Sequence, residues 1–140
     1  MLRPLLLTAA LVLAACAASP GTQPDLAFAL GADLSCNASE MRRCPAGGCT
    51  AGEPGEALTI PISLHVPDRG GAGRFCIATG CENAQFGPTL TRAQGWTATV
   101  RADDRTADLE IARDLRTFTL REANSSGVSA WSGECSPAGS

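Results

Sequence analysis

The chain contains no lysine and no tyrosine, has a single histidine, and carries aromatic side chains at only 4% of its 140 positions. Each shortage closes off a class of function. Arginine supplies every basic charge, and the balance of 11 basic against 14 acidic residues gives a net charge of -3. The charges alternate in sign, as in Asp103-Asp104-Arg105 and Arg113-Asp114, so the clustered basic surface that nucleic acid requires is missing. His65 is the one candidate base for a serine or cysteine nucleophile, and no Gly-x-Ser-x-Gly elbow accompanies it. With Asp68 close behind in sequence, it reads as an exposed strand histidine. The carboxylates of Asp103, Asp104, Asp108 and Glu110 gather in and beside one turn, where solubility and turn geometry account for them better than glycoside hydrolysis does. The sequence therefore predicts no catalytic residues and a non-enzymatic protein. No apolar run reaches the roughly 20 residues that a spanning helix needs.

What the sequence does have starts at its N-terminus. Arg3 is followed by an apolar run from Leu5 to Leu13, which closes on Leu13-Ala14-Ala15-Cys16. This stretch resembles the bacterial lipobox. The resemblance implies a signal peptide over residues 1–15, cleavage before Cys16, a diacylglyceryl thioether on the Cys16 sulfur and acylation of the new N-terminus. Several acyl chains make a durable anchor where one would be marginal. In Gram-negative lipoproteins an aspartate after the cysteine is the usual inner-membrane retention signal; Ala17 stands there, which implies an outer-membrane lipoprotein facing the periplasm or surface. The expected partners are thus the membrane, through the lipid, and a protein or glycan of the envelope. Residues 16–25, from Cys16 through Ala17-Ala18-Ser19-Pro20-Gly21-Thr22-Gln23-Pro24, cannot bury apolar area and read as a tether. Extended at about 3.3 Å per residue, Ala17 to Pro24 would lift the rest of the chain about 25 Å from the headgroups.

Six cysteines remain: Cys36, Cys44, Cys49, Cys76, Cys81 and Cys135. An even number in an oxidising compartment reads as three disulfides, although sequence alone leaves the pairing open. Cys44-Pro-Ala-Gly-Gly-Cys49 and Cys76-Ile-Ala-Thr-Gly-Cys81 share one spacing, with glycine before the second cysteine, and local closure of each is sterically easy. That choice pairs Cys36 with Cys135. The same loops fall at the long end of zinc-knuckle spacing, but thiols outside the cytoplasm tend to be oxidised, so no metal and no cofactor are expected.

Residues 26–140 predict a single small β domain. Leu58, Ile60, Ile62, Leu64 and Val66 alternate with Thr59, Pro61, Ser63 and His65, the cleanest strand pattern in the chain. Pro61 cannot donate to a ladder and predicts a sheet edge or an unpaired side. After the turn Asp68-Arg69-Gly70-Gly71-Ala72-Gly73, a second strand runs from Arg74 to Ile77. Trp96, Ala98 and Val100 alternate with polar residues, as do Ala107, Leu109 and Ile111, then Phe118 and Leu120; Asn124-Ser125-Ser126-Gly127 supplies a last turn. Short alternating runs separated by turns predict an all-β fold, a small antiparallel sandwich or barrel stapled by disulfides. The expected core is Ile60, Ile62, Leu64, Trp96, Val100, Leu109, Ile111, Phe118 and Leu120. A competing pattern places Ala107, Ile111 and Leu115 on one face of a helix over 104–116, which would make the class α+β.

Trp96 falls in the apolar register. Trp131 has the opposite parity to Val128 and Ala130 and is the candidate surface anchor for a binding partner. The leading expectation is an envelope lipoprotein that binds a protein, glycan or envelope component, with a small barrel holding an apolar ligand as the alternative. The plan also loosely resembles bacterial lipoprotein inhibitors of c-type lysozyme, which combine a lipobox, one small β domain and a cysteine near its end. Those inhibitors follow a Ser-Gly motif with a tyrosine; here Ser126-Gly127 is followed by Val128-Ser129-Ala130-Trp131, without one.

Overall fold

A computed structural model describes residues 28–45 and 56–139. The signal peptide, Cys16, the tether and Cys49 lie outside the described residues. Alternating sequence becomes strand nearly everywhere: β1 (Leu34–Cys44), β2 (Glu56–Leu58), β3 (Ile62–Val66), β4 (Gly71–Ile77), β5 (Gly80–Phe86), β6 (Leu90–Arg92), β7 (Gly95–Ala102), β8 (Arg105–Ala112), β9 (Thr117–Asn124) and β10 (Gly127–Pro137). Strands β1, β3, β4, β5, β7, β8, β9 and β10 pair antiparallel in that order, and β10 pairs back onto β1. The result is a closed eight-stranded barrel. Closure removes the open edges that make isolated sheets prone to aggregate. The helix considered over 104–116 is absent, because β8 occupies Arg105–Ala112 and bonds to β7 on one side and β9 on the other.

Two strands are broken where their sequence cannot continue a ladder. The run from Leu58 to Val66 divides at Thr59–Pro61 into β2, which pairs with Met41–Arg43 of β1, and β3, which pairs with Leu34–Ala38 of the same strand. Pro61 sits in that gap, and its carbonyl accepts the Ala78 N–H at 2.8 Å. Likewise β5 and β6 both lie along β7, separated by residues 87–89, which include Pro88.

The interior is built in staggered rows. Ala98, Leu109, Leu120, Trp131 and Met41 stand opposite one another across five strands. Cys135, Cys36, Leu64, Phe75 and Glu82 form another row, climbing from one end of the barrel to the other as closure of a tilted sheet requires. Of the expected core, Ile62, Leu64, Val100, Leu109, Ile111, Phe118 and Leu120 are buried, while Ile60 and Trp96 are partly buried against them. Trp131 corrects the expectation of a surface anchor: it is 3% exposed, in the middle of the core. Ser129 and Trp131 face inward and the smaller Val128 and Ala130 are only half-buried, because one bulky ring fills the barrel section better than two small side chains. Its indole N–H is the only buried side-chain polar atom without a partner among the described residues.

Cys36 and Cys135 are bonded, directly opposite in register on the strands that close the barrel, with Cα atoms 4.0 Å apart. Cys76 and Cys81 close the β4–β5 hairpin. Cys44 is also disulfide-bonded, and its expected partner Cys49 lies outside the described residues. Beside the long bridge, β1 and β10 approach so closely at the Asn37/Glu40 bulge that a Cβ on Gly133 would collide with the Asn37 carbonyl oxygen.

The two ends of the barrel differ. The chain arrives at the near end, which also carries the β3–β4 loop at 67–70, the β6–β7 turn at 93–94 and the β8–β9 loop at 113–116. There Leu30 is buried and the arriving segment is pinned. Phe28 N–H donates to the Thr89 carbonyl at 2.8 Å, the Thr89 hydroxyl donates back to the Phe28 carbonyl, and the Gly31 N–H reaches Asp68 Oδ1 at 2.6 Å. Gly70 belongs here for two reasons: its φ is +87°, and a Cβ would strike the Gly87 carbonyl oxygen. The far end carries the turns at 78–79, 103–104 and 125–126.

Candidate functional site

The outward faces of β7, β8 and β9 carry polar rows, one being Thr97, Glu110 and Thr119 and the next Thr99, Asp108 and Arg121. A barrel that spans lipid shows the reverse, an apolar exterior around a polar lumen. At the near ends of these strands a cleft of about 520 Å³ opens, lined by Arg92, Gln94, Trp96, Thr97, Glu110 and Thr119 among others. Its size falls in the range of small-molecule and peptide sites. The β6–β7 turn supplies Gln94, and short β6 supplies Arg92, both exposed. Hydroxyls, one amide, one guanidinium and one carboxylate beside an indole can make directed hydrogen bonds to a polar ligand; they contain no nucleophile and base in contact. Glu110 is partly occupied by Arg121 at 3.4 Å, and both side chains are more than half exposed. A surface pair of this kind contributes little to stability and can exchange for a ligand.

Inside the barrel, the gap beneath the far rim, bounded by Phe75, Val100, Ala102, Arg105, Leu120 and Glu122, is about 10 Å³, near the lower limit for one water molecule. An apolar ligand held inside the barrel would have to displace packed side chains.

A polar cluster that sequence reasoning missed lies at the far rim. Arg105 donates twice to Glu122, Nε to Oε1 at 3.0 Å and NH2 to Oε2 at 2.5 Å, and its guanidinium stands 5.3 Å from the centroid of the Phe75 ring. This bidentate, partly buried pair closes the mouth of the barrel over the core. Glu82 stands on the same rim. Partial burial, then a hydrogen bond that its protonated form donates to Asp103 and charge repulsion from Asp103, raise its carboxyl above the ordinary value, while Arg105 pulls the other way. Linkage fixes the sign of the effect. A carboxyl raised on folding adds stability while it is protonated, and that contribution is lost as pH rises through its folded value. Glu82→Gln keeps the uncharged form at every pH. We expect the variant to unfold at higher urea than wild type at neutral pH and to converge with it in acid; urea midpoints across pH check this, and identical curves would show that folding does not raise the Glu82 carboxyl.

The remaining candidates do not assemble. His65 pairs with Asp33, Nε2 to Oδ2 at 3.3 Å, and not with Asp68, whose backbone N–H instead donates to Asp33 Oδ1. Ser35 stands opposite His65 in the β1–β3 register, but among the described residues no hydrogen bond joins them. Serine, histidine and aspartate thus sit on one face of the sheet without the nucleophile–base contact that activation needs. Asp103 and Asp104 lie in the far turn, whereas Asp108 and Glu110 project from the wall of β8, so these carboxylates do not converge. Ser126 lies in the β9–β10 turn and Gly127 opens β10, with Asn124 Oδ1 accepting from the Ser126 N–H and hydroxyl, and the next aromatic along the chain, Trp131, is buried. No group of three or more potential metal ligands occurs among the described residues. Comparison with family models, with curated proteins and with solved structures finds no match to the chain.

Proposed function

We propose that this chain is a non-enzymatic envelope lipoprotein, anchored through Cys16, whose barrel works by binding a polar envelope ligand, a glycan or a peptide segment, on its outer surface. The observation that carries the reading is the contrast between a packed interior and a mixed polar–aromatic cleft outside it. The lipobox supplies the address. The long disulfide suits an oxidising compartment, and the polar exterior suits a domain held at a membrane without entering it.

Two experiments test the two halves. Cys16→Ser should abolish lipid modification and leave the protein soluble or unprocessed; a Cys16→Ser chain that still partitions into detergent like the parent would refute the anchor. For the cleft, the mature chain is titrated against purified peptidoglycan fragments and against envelope peptides, beside Thr97→Arg and Thr119→Arg variants that fill the cleft without touching the core. The expected result is loss of at least about tenfold in affinity, equivalent to about 1.4 kcal/mol. Undiminished binding by both filled variants would remove the cleft as the site.

A further inference from the structure

The near end of the barrel carries features that anchoring alone does not require. Phe28, the first described residue, is the only exposed large hydrophobic side chain among those described, at 46%. Its ring meets Trp96 edge to face, with centroids 6.4 Å apart. The backbone around it is held by Thr89 and Asp68, so this aromatic pair is fixed to the barrel. The loops of the same end present Arg69, Arg113 and Arg116, all exposed. The aspartates beside them are engaged with backbone donors: Asp33 with the Asp68 N–H, Asp68 with the Gly31 N–H, and Asp114 with the Arg116 N–H. Asp68 also lies 3.8 Å from Arg69, whose side chain is 83% exposed.

We propose that this near end rests against the bilayer, with Phe28 at the headgroup level and Arg69, Arg113 and Arg116 toward anionic headgroups, so that the cleft beside Trp96 and Arg92 stays on the barrel wall and the Glu82–Arg105–Glu122 rim faces away. The inference rests on lipidation at Cys16. Chain length favours it, since residues 17–27 separate the anchor from Phe28. As a random coil, a chain of that length would span only about 20 Å. The near end is therefore held within reach of the headgroups, and the far rim stands a strand length beyond it. An exposed phenylalanine gains by burying its apolar ring at the headgroup–acyl boundary, and basic groups near an anionic leaflet are attracted to it in a salt-dependent way.

The test uses the full chain, processed in cells and reconstituted into phosphatidylethanolamine–phosphatidylglycerol vesicles that contain a lipid with a nitroxide on its headgroup. In Trp131→Phe the indole of Trp96 is the sole tryptophan and reports the near end. In a chain carrying Trp96→Phe, Trp131→Phe and Asp104→Trp, the reporter sits in the exposed far turn. Quenching is expected to be several-fold stronger for the first protein, and to weaken when Arg69, Arg113 and Arg116 are all changed to glutamine. Equal quenching, or stronger quenching at position 104, overturns the orientation. The mass of the N-terminal peptide separates the two failures: a lipidated Cys16 with equal quenching leaves the anchor standing and removes only the docking, whereas an unmodified Cys16 removes both. Wild type supplies a check free of core substitutions. Hydrogen exchange in loops 67–70 and 113–116 should slow on vesicles relative to the Cys16→Ser chain in solution, while turns 103–104 and 125–126 should not; slowing confined to the far turns also overturns the proposal.

Discussion

Replacing Trp131 by alanine should destabilise the domain by about 3–5 kcal/mol, the usual cost of emptying a large aromatic site in a core. The reason is position: the ring lies in one interior layer with Met41, Leu120, Leu109 and Ala98, and only 3% of the residue is exposed. Small domains have a margin of only about 5–15 kcal/mol, so the alanine variant should unfold at far lower urea and lose near-ultraviolet circular dichroism. Trp131→Phe should behave differently. It removes some buried area and also the unpartnered indole N–H, whose burial without a hydrogen bond costs about 1–3 kcal/mol. The phenylalanine variant should therefore lie within about 1.5 kcal/mol of wild type, as volume-tolerant core exchanges do. Equal and small effects from both substitutions would place Trp131 at the surface after all.

The second large effect belongs to the bridge that closes the barrel. Exchange of Cys36 and Cys135 together for serine should cost about 2–5 kcal/mol, since constraining a loop of this length restricts the unfolded chain strongly. The sequence separation is 99 residues, against 5 for Cys76–Cys81. By the same chain-entropy reasoning the short loop is worth only about 2 kcal/mol, less if the hairpin persists in the unfolded chain. Denaturant midpoints of the two double-serine variants decide the order. A larger loss from the hairpin bridge would mean that the stabilisation is local and not a matter of closure.

What can be read from the sequence is what depends on neighbours along the chain. Strand β3 is the clearest case: Ile62, Leu64 and Val66 alternate with Ser63 and His65, and all three apolar residues are buried. The break before them is only half visible, because Pro61 marks a missing donor but not the bulge in β1 that the missing pairs face. Residues 104–116 satisfy both a two-residue and a helical period, and the choice is made by β7 and β9, which are partners that no local window contains. The parity of Trp131 misleads because Val128 and Ala130 look like the buried pair, whereas in a closed barrel the inward positions go to whatever fills the section. Glu82, Arg105 and Glu122 are invisible for the same reason: they are far apart in sequence and meet only because the sheet is staggered as it closes. The pairing of Cys36 with Cys135, by contrast, comes out of simple elimination once the two short loops close locally.

The pairing of the first strand with the last has a consequence for how the chain is made. A protein emerging N-terminus first presents β1 almost at once, but the strand that must cover its open side, β10, comes last. Until residues 127–137 arrive, the growing sheet keeps two unpaired edges, one constant at β1 and one that moves to each new strand in turn. Throughout that interval Cys36 has no native partner to oxidise with, although Cys76 and Cys81 can already join. The domain is thus most exposed to wrong partners, in both hydrogen bonds and thiols, in the interval just before residues 127–137 can pair with β1.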